Sequence, residues 1–192
     1  MSHPLDNVPR HGCGRFRPAG TGDAACHCAV CADVAAGFTR EEALRRAADW
    51  KAHCLAEFGW YAVHVTGEPG PDTPTGVNSH THGLAANYGH LDFQIVMPLD
   101  GTVAHALLTV LADRVKAGER FEAGLQVARV AARGYKVRLV AAREGDRDVL
   151  RVVIPDAEGN LTPARLSGTY LLQYVGTPEG PAPTPTRSGD ES

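Results

Sequence analysis

Strand-like segments dominate this chain and follow one another closely in its second half. Apolar patterning predicts three consecutive strands at 126–131, 135–141 and 149–154. Four more segments have the same character, at 60–66, 79–84, 92–97 and 170–175. Because strands outnumber long helices about seven to two, the order favours an α+β fold. We therefore expect a mainly antiparallel sheet of about six to seven strands with two main helices.

Two segments carry the apolar spacing of amphipathic helices. Thr39 and Glu42 have the spacing of a capping box, in which each side chain bonds the other residue's backbone N–H. This pair predicts a helix over 40–58, and Gly59 is a natural stop. A second stripe of helical spacing begins just after residue 100.

Composition sets the domain organisation. The 192 residues include 21 Gly and 13 Pro, well above the average share of about 12% for the two together, which argues against an all-helical bundle. The distribution predicts a flexible N-terminal arm at 1–24, one α+β domain at 25–176 with a cysteine-rich start, and a disordered tail at 177–192.

Charge and hydropathy narrow the range of partners. The net charge of −3 comes without a basic stripe, so we expect no nucleic-acid binding. There is no run of 18 apolar residues, so we expect no membrane span, and the first 25 residues lack the apolar core of a secretory signal. The expected location is the cytoplasm, and the oligomeric state is left open.

A histidine-rich segment is the main candidate site. Residues 73–91 contain no charged side chain but hold His80, His82 and His90. On a strand, His80 and His82 share a face and could bind one metal at about 2.0–2.1 Å, with His90 as a third ligand. Asp92 would be a ligand, a base or a group that orients a ring. This arrangement predicts zinc or another divalent transition metal and metal-assisted hydrolysis of a small molecule.

Two other interpretations of the histidines are open. They could line a binding pocket that holds no metal, or they could bond backbone groups and serve the fold alone. In the hypothesis of metal-assisted hydrolysis, Asn78, Ser79 and Tyr88 are the candidate polar contacts to the small-molecule substrate.

A cysteine-rich segment is the second candidate. Cys26, Cys28 and Cys31 lie within six residues, and thiolates so close together suit zinc or an iron–sulfur cluster. Cys13 is the first choice for a fourth ligand, and the alternatives, also in this sequence, are His11, His27, His53 and Cys54. A structural zinc here would fit a non-enzymatic binding or interaction module. A thiol redox sensor is a further alternative, with reactive thiols of low pKa.

Several short motifs together resemble a bacterial family known as domain of unknown function 4262. They are Phe58-Gly-Trp-Tyr-Ala-Val63, Thr81-His-Gly-Leu84, Gly89-His-Leu-Asp-Phe-Gln-Ile-Val96, Lys116-Ala-Gly-Glu119 and Ile154-Pro-Asp-Ala-Glu-Gly-Asn160. The resemblance covers about 55–175 and implies a single α+β domain, with no activity attached to it. Family members commonly have Tyr-Thr-x-Gly-Leu where this chain has His80-Thr-His-Gly-Leu84, so the pair of His80 and His82 marks a subgroup. They commonly have Gly-His-Pro-Glu where this chain has Gly89-His-Leu-Asp92, so His90 is the more family-like histidine.

Overall fold

The computed structural model describes residues 29–67, Pro69 and residues 74–180. Its helices are α1 (Ala29–Ala35), α2 (Arg40–Phe58), α3 (Leu84–Tyr88), α4 (Gly101–Lys116) and α5 (Gly168–Leu172). Its strands are β1 (Tyr61–Thr66), β2 (Val77–His82), β3 (Asp92–Ile95), β4 (Gln126–Val127), β5 (Val137–Glu144) and β6 (Arg147–Val153). The arm predicted at 1–24 and most of the predicted tail lie outside this range.

The six strands form one sheet in the order β1-β2-β3-β6-β5-β4. The pairs β1–β2, β2–β3, β5–β6 and β4–β5 are antiparallel, and the central pair β3–β6 is parallel. Helix α4 belongs to the connection that makes this parallel pairing possible. The α+β class, the mainly antiparallel six-stranded sheet and the two main helices α2 and α4 are therefore confirmed.

One face of the sheet, here called the core face, builds the main hydrophobic core. Alternate side chains of the strands, such as Phe93 on β3 and Leu150 on β6, pack there with Leu108 and Leu111 of α4. These four side chains are at most 2% exposed. Burial of this size is the main source of stability in a domain of this length.

The opposite face carries a group of polar side chains beside a few apolar ones and is here called the polar face. Its members are Asn78, His80 and His82 of β2, Asp92 and Gln94 of β3, Glu144 of β5, and Arg147 and Arg151 of β6. The register puts His80 opposite Gln94 and Gln94 opposite Arg151, so these side chains form a row across three strands. A period of two along each strand separates them from the core face.

Helix α2 begins and ends as the sequence predicts. Thr39 and Glu42 form the capping box, and Gly59 ends the helix with a left-handed φ of 78°. A Cβ at Gly59 would lie 2.2 Å from the hydroxyl oxygen of Tyr88, which donates to the carbonyl of Phe58 at 3.1 Å. Glycine is required here both by the backbone angle and by this close approach.

Two predicted strands are wrong in type or length. The segment 170–175 was expected to be a strand, but its first residues lie in α5. A short apolar run does not distinguish helix from strand, and here the Gln173 side chain fixes the segment by bonding the N–H and carbonyl of Ile154. The strand predicted at 126–131 ends at Val127, because the chain turns away and Arg129 has a φ of 60°.

The C-terminal segment packs over one end of the polar face. Tyr174, with Leu161 and Leu166, contacts Val140 and Val153, two apolar residues on that face. Glu179 forms an ion pair with Arg138 at 2.9 Å, so ordered contacts continue past residue 176. Among the helices in the described ranges, none is long and apolar enough to span a membrane.

Candidate functional site

The polar face contains several buried polar side chains beside one another. Asn78, His80 and Asp92 are 4–5% exposed, while Gln94 and Arg151 are 0–1% exposed. A buried polar group costs about 1–3 kcal/mol unless it has a hydrogen-bonding partner. Such a cluster in one layer of a small domain therefore marks either a structural network or a binding site, and the contacts of each group distinguish the two.

Strand β2 brings His80 and His82 together as the period of two predicts. Their ring centroids are 4.9 Å apart in an edge-to-face arrangement, and His82 stacks on Tyr61 of β1 at 4.9 Å. The register explains the stack, since Tyr61 is the partner of His82 across the β1–β2 pair. Tyr61 thus fixes the ring plane of one histidine against the other.

His80 lies between an amide and a carboxylate. Its Nδ1 is 3.1 Å from Asn78 Oδ1, and because a carbonyl oxygen only accepts, this nitrogen carries the hydrogen. Its Nε2 is 3.4 Å from Glu144 Oε1. Asn78 therefore selects the tautomer that directs the second ring nitrogen at a carboxylate.

The contact between His80 and Glu144 crosses two intervening strands. In a flat sheet β2 and β5 would be about 14 Å apart, since neighbouring strands are spaced about 4.8 Å. The end of the β5–β6 hairpin must therefore bend over the polar face, and that face is concave. Glu144 and Arg147, adjacent in register at the hairpin end, form its overhanging rim.

Arg147 ties this rim to the sheet. Its Nη1 donates to Asp92 Oδ2 at 3.1 Å, and its Nε donates to Glu144 Oε2 at 3.0 Å. Asp92 Oδ1 accepts from the Thr81 hydroxyl at 2.9 Å and from the Leu84 N–H at 3.2 Å. Burial raises the pKa of Asp92, and these hydrogen bonds and Arg147 oppose the rise. Asp92 thus holds Arg147 in place, and it is itself held by Thr81 and the backbone of Leu84.

His82 is neutral over the whole physiological range. Burial is the largest cause that lowers its pKa to about 3, and the neighbouring His80 and Arg147 lower it further. A neutral imidazole keeps a lone pair and can accept a hydrogen bond from a ligand. The site therefore combines a neutral histidine, a histidine facing a carboxylate and a bound arginine.

The structure does not bring His90 to this pair. His90 Nδ1 lies 2.7 Å from its neighbour's carbonyl, Leu91 O, and the Phe121 N–H donates to Nε2 at 3.1 Å. The ring packs against Phe93 and Phe121, which belong to the core-face cluster. With both nitrogens bonded to backbone, His90 serves the fold. Within residues 29–67 and 74–180, no group of three or more His, Cys, Asp or Glu side chains is placed to hold a metal ion.

The three predicted ligand contacts fall in different places. Asn78 is on the polar face and bonds His80. Ser79 is on the core face, where its hydroxyl lies 2.6 Å from His64 Nδ1. Tyr88 bonds the end of α2 through its hydroxyl. Of these residues, only Asn78 belongs to the polar site.

Comparison with known protein families assigns the part of the chain that carries this site to one family. The model of domain of unknown function 4262 matches residues 55–163, more than half of the chain. The chain belongs to this family. No curated protein and no solved structure matches it. The match includes all six strands, so the whole polar face lies inside the 4262 domain, while α1 and α5 lie outside the matched range.

Four residues of the site in the 4262 domain were missed by the sequence analysis: Gln94, Glu144, Arg147 and Arg151. Glu144, Arg147 and Arg151 come from strands that are distant in sequence from the histidines, whereas Gln94 lies on β3, the next strand after β2. Two of them did leave a signal, since Gln94 and Arg151 each interrupt an otherwise apolar strand. A polar residue at such a position faces into the protein and has to be bonded there.

The cysteine segment is described only in part. Cys13, Cys26 and Cys28 lie outside the described residues. Cys31, on α1, is half-buried against a small apolar cluster formed by Val30, Ala43 and Ala47. Cys54 is fully buried on α2. The cysteine site therefore stays a prediction.

Proposed function

We propose that the polar face of this 4262 domain binds a small polar molecule and that the pair of His80 and Glu144 exchanges a proton with it. The single observation that carries the proposal is the 3.4 Å approach of His80 Nε2 to Glu144 Oε1. Without a proton, a ring lone pair would face a carboxylate oxygen, which is a repulsive contact. A proton held between the two atoms converts it into an ion pair.

The fixed tautomer supports this role. Because Asn78 engages Nδ1, a proton that enters or leaves His80 does so at Nε2, the atom that faces Glu144. This is the arrangement of a general acid–base pair, in which a second group orients the ring. Asn78 would therefore be a positioning residue and His80 the proton-exchanging group.

Exposure along the polar face supports access from one side. The side chain of His80 is 6% exposed, that of Glu144 is 20% exposed and that of Arg147 is 30% exposed. Tyr61 and His82 are likewise half-buried. A ligand would enter past these residues and reach His80 at the base of the concave face.

The metal-assisted hydrolysis predicted from the sequence is a variant of this proposal. In that variant, zinc or another divalent transition metal would lie between His80 and Glu144 in place of the proton. Two nitrogen and oxygen ligands of one tetrahedral zinc are also about 3.4 Å apart, given bond lengths near 2.0–2.1 Å. We favour the proton because the described residues group no three metal ligands together. The small-molecule ligand is common to both variants.

A chromogenic ester tests the proposal. Hydrolysis of p-nitrophenyl acetate by the full chain, purified without a histidine tag and treated with a chelator, should exceed the background rate. His80→Ala and Glu144→Gln should each lower the excess by about tenfold or more. His53→Ala and Glu122→Gln, which change exposed residues, are the matched controls and should leave it unchanged.

Two results would refute the proposal. Equal hydrolysis by His80→Ala and His53→Ala would show that the site does not exchange protons with substrate. Loss of hydrolysis after chelation, with recovery on adding Zn²⁺, would show that the metal variant is right and the proton variant is wrong.

A structural zinc at the cysteine segment is a second candidate, favoured by the setting of Cys31. Helix α1 has seven residues and contacts α2 through a small apolar cluster that is separate from the main core. A metal held by Cys31 with Cys26, Cys28 and Cys13 would add a crosslink where apolar packing is sparse. About one zinc per chain, lost in Cys31→Ser but kept in Cys54→Ser, is the expected result. Reversible loss of titratable thiols under mild peroxide, without zinc, would instead support the redox sensor.

A further inference from the structure

The side-chain amide of Gln94 is hydrogen-bonded at its oxygen but not at its nitrogen. It is 0% exposed at the centre of the polar face. Gln94 Oε1 accepts from Arg151 Nε at 2.9 Å, and because a guanidinium only donates, this bond fixes which way the amide is turned. Gln94 Nε2 has no hydrogen-bonding partner among the described residues. A buried donor of this kind calls for an acceptor that the described side chains do not supply.

The register locates that missing acceptor. Arg151 lies on the β6 side of Gln94 and His80 lies on the β2 side. Since the oxygen of the amide is turned to Arg151, its nitrogen is turned away from it. The acceptor would therefore sit over the same part of the polar face as His80.

Charge narrows the chemistry of what binds there. Arg147 already bonds Asp92 and Glu144, and Arg151 already bonds Gln94 and the carbonyls of Gln173 and Val175. The two arginines of the face are thus committed to other partners. An anion would meet the carboxylates of Asp92 and Glu144, so a neutral acceptor is favoured over a carboxylate or phosphate.

The neighbouring polar atoms of the site are acceptors, so they require a hydrogen-bond donor from the ligand. Glu144 Oε1 accepts only, and His82, being neutral, also has a lone pair. A ligand that satisfies the whole site needs an acceptor oxygen for Gln94 and, next to it, an N–H for these acceptors. An alcohol can donate and accept, but both bonds then meet at one oxygen, whereas a carboxamide carries its acceptor oxygen and its N–H on two separate atoms of the same planar group.

We propose that the ligand of the polar face is a neutral molecule with a carbonyl oxygen beside an N–H group, as in a carboxamide or a lactam, and that Gln94 Nε2 donates to its carbonyl. This inference rests on the proposed function, because it takes the polar face to be the binding site. It adds Gln94 as the residue that determines the ligand class. His80 and Glu144 would then face the N–H side of the same group.

Side-chain amide signals in NMR spectra test this directly. The full chain, labelled with ¹⁵N, is titrated with acetamide and separately with acetate. Acetamide should shift the Gln94 amide signal in a saturable way. Acetate should bind at least about tenfold more weakly than acetamide. The amide of Asn87, a residue of α3, donates to the carbonyl of Gly59; it is an internal control and should not move.

Gln94→Glu is the matched variant. It keeps an oxygen for Arg151 and removes the amide donor, so it should fold and lose acetamide binding. If acetamide leaves the Gln94 signal unchanged and that signal instead shows exchange with a resident water, the missing acceptor is water and the inference is wrong. Equal binding of acetate would also overturn it.

The outcome is separable from that of the proposed function. Ester hydrolysis that depends on His80 while acetamide fails to bind would refute the ligand class alone. Acetamide binding through Gln94 in a chain whose ester hydrolysis ignores His80→Ala would refute the proton exchange alone.

Discussion

His80 Nε2 and Glu144 Oε1 lie 3.4 Å apart although β3 and β6 separate the strands that carry them. The contact is possible because the sheet curves, so that the end of the β5–β6 hairpin approaches β2 on the polar face. The polar face is therefore a concave surface with a floor of buried side chains and a rim formed by Glu144 and Arg147.

The first prediction concerns this contact. Glu144→Gln removes the negative charge opposite His80, so the proton proposed at Nε2 should be held less firmly. Long-range ¹H–¹⁵N spectra of the imidazole nitrogens measure this directly. Glu122→Gln, an exposed change of the same chemistry, is the control. If the two variants give the same His80 spectrum as the unchanged chain, Glu144 does not hold a proton on His80.

The second prediction concerns acid sensitivity. Burial lowers the pKa of His82 to about 3 and also lowers the pKa of His64 and His105. The unfolded chain takes up protons at these histidines below about pH 6.5, whereas the folded chain resists them, so stability is present above that pH and is lost as pH falls toward 3. Each such group contributes at most about 1.4 kcal/mol per pH unit, and His82 less because it is partly open to solvent.

Urea unfolding at pH 7.0 and pH 5.5 measures the effect. His82→Phe keeps a ring to stack on Tyr61 but cannot titrate, so the difference in unfolding free energy between the two pH values should shrink. The raised pKa of Asp92 acts in the opposite direction, because as pH falls the folded chain takes up this proton before the unfolded chain does, and it acts equally in both chains of this comparison. An identical pH dependence in the two chains would contradict the assignment of acid sensitivity to His82.

The third prediction concerns the buried arginine. Arg151 is 1% exposed and bonds Gln94, Gln173 O and Val175 O, so it joins the sheet to the segment after α5. Arg151→Met removes these bonds and leaves three acceptors short of a donor. We expect a loss of about 2–4 kcal/mol of unfolding free energy. Arg143→Met, at a position whose side chain is 65% exposed, should change stability by less than about 0.5 kcal/mol. Similar losses in both variants would show that Arg151 is not a structural tie.

The fourth prediction separates backbone strain from steric overlap. Gly59 and Gly118 both have a positive φ, of 78° and 96°, but only at Gly59 would a Cβ meet another group, the Tyr88 ring and hydroxyl. Gly118→Ala should cost about 1–2 kcal/mol from the backbone angle. Gly59→Ala should cost at least about 1 kcal/mol more, because Tyr88 must move and release its bond to Phe58. Equal costs by chemical denaturation would mean that Tyr88 adjusts freely.

Features set by neighbouring residues were predictable from the sequence. Thr39 and Glu42 lie three positions apart and cap α2 as expected, and the alternation of β2 puts His80 and His82 on one face. His90 could not be placed in this way, because its partner is the N–H of Phe121, thirty-one residues further on. The end of the chain was misassigned for the same reason: the contacts of Gln173 with Ile154, nineteen residues away, favour a helical turn there.

The site itself was half predictable. Asn78, His80 and His82 come from one strand, so local periodicity groups them. Glu144 and Arg147 reach them only through the fold, since their strands are neighbours of each other and β6 alone touches β3. No spacing rule within the sequence links positions that meet across a sheet.

The parallel pairing of β3 with β6 has a consequence for biosynthesis. The strands before β6 leave the ribosome before β3 and β6 can pair. Until that pairing forms, the half of the sheet with the histidines is not connected to the half with Glu144 and Arg147. Pairing across so long a stretch of chain is slow compared with the closing of the β1–β2 or β5–β6 hairpins. A truncated or partly folded chain would carry both histidines without Glu144 and Arg147, so the contact between His80 and Glu144 forms only when the whole sheet is assembled.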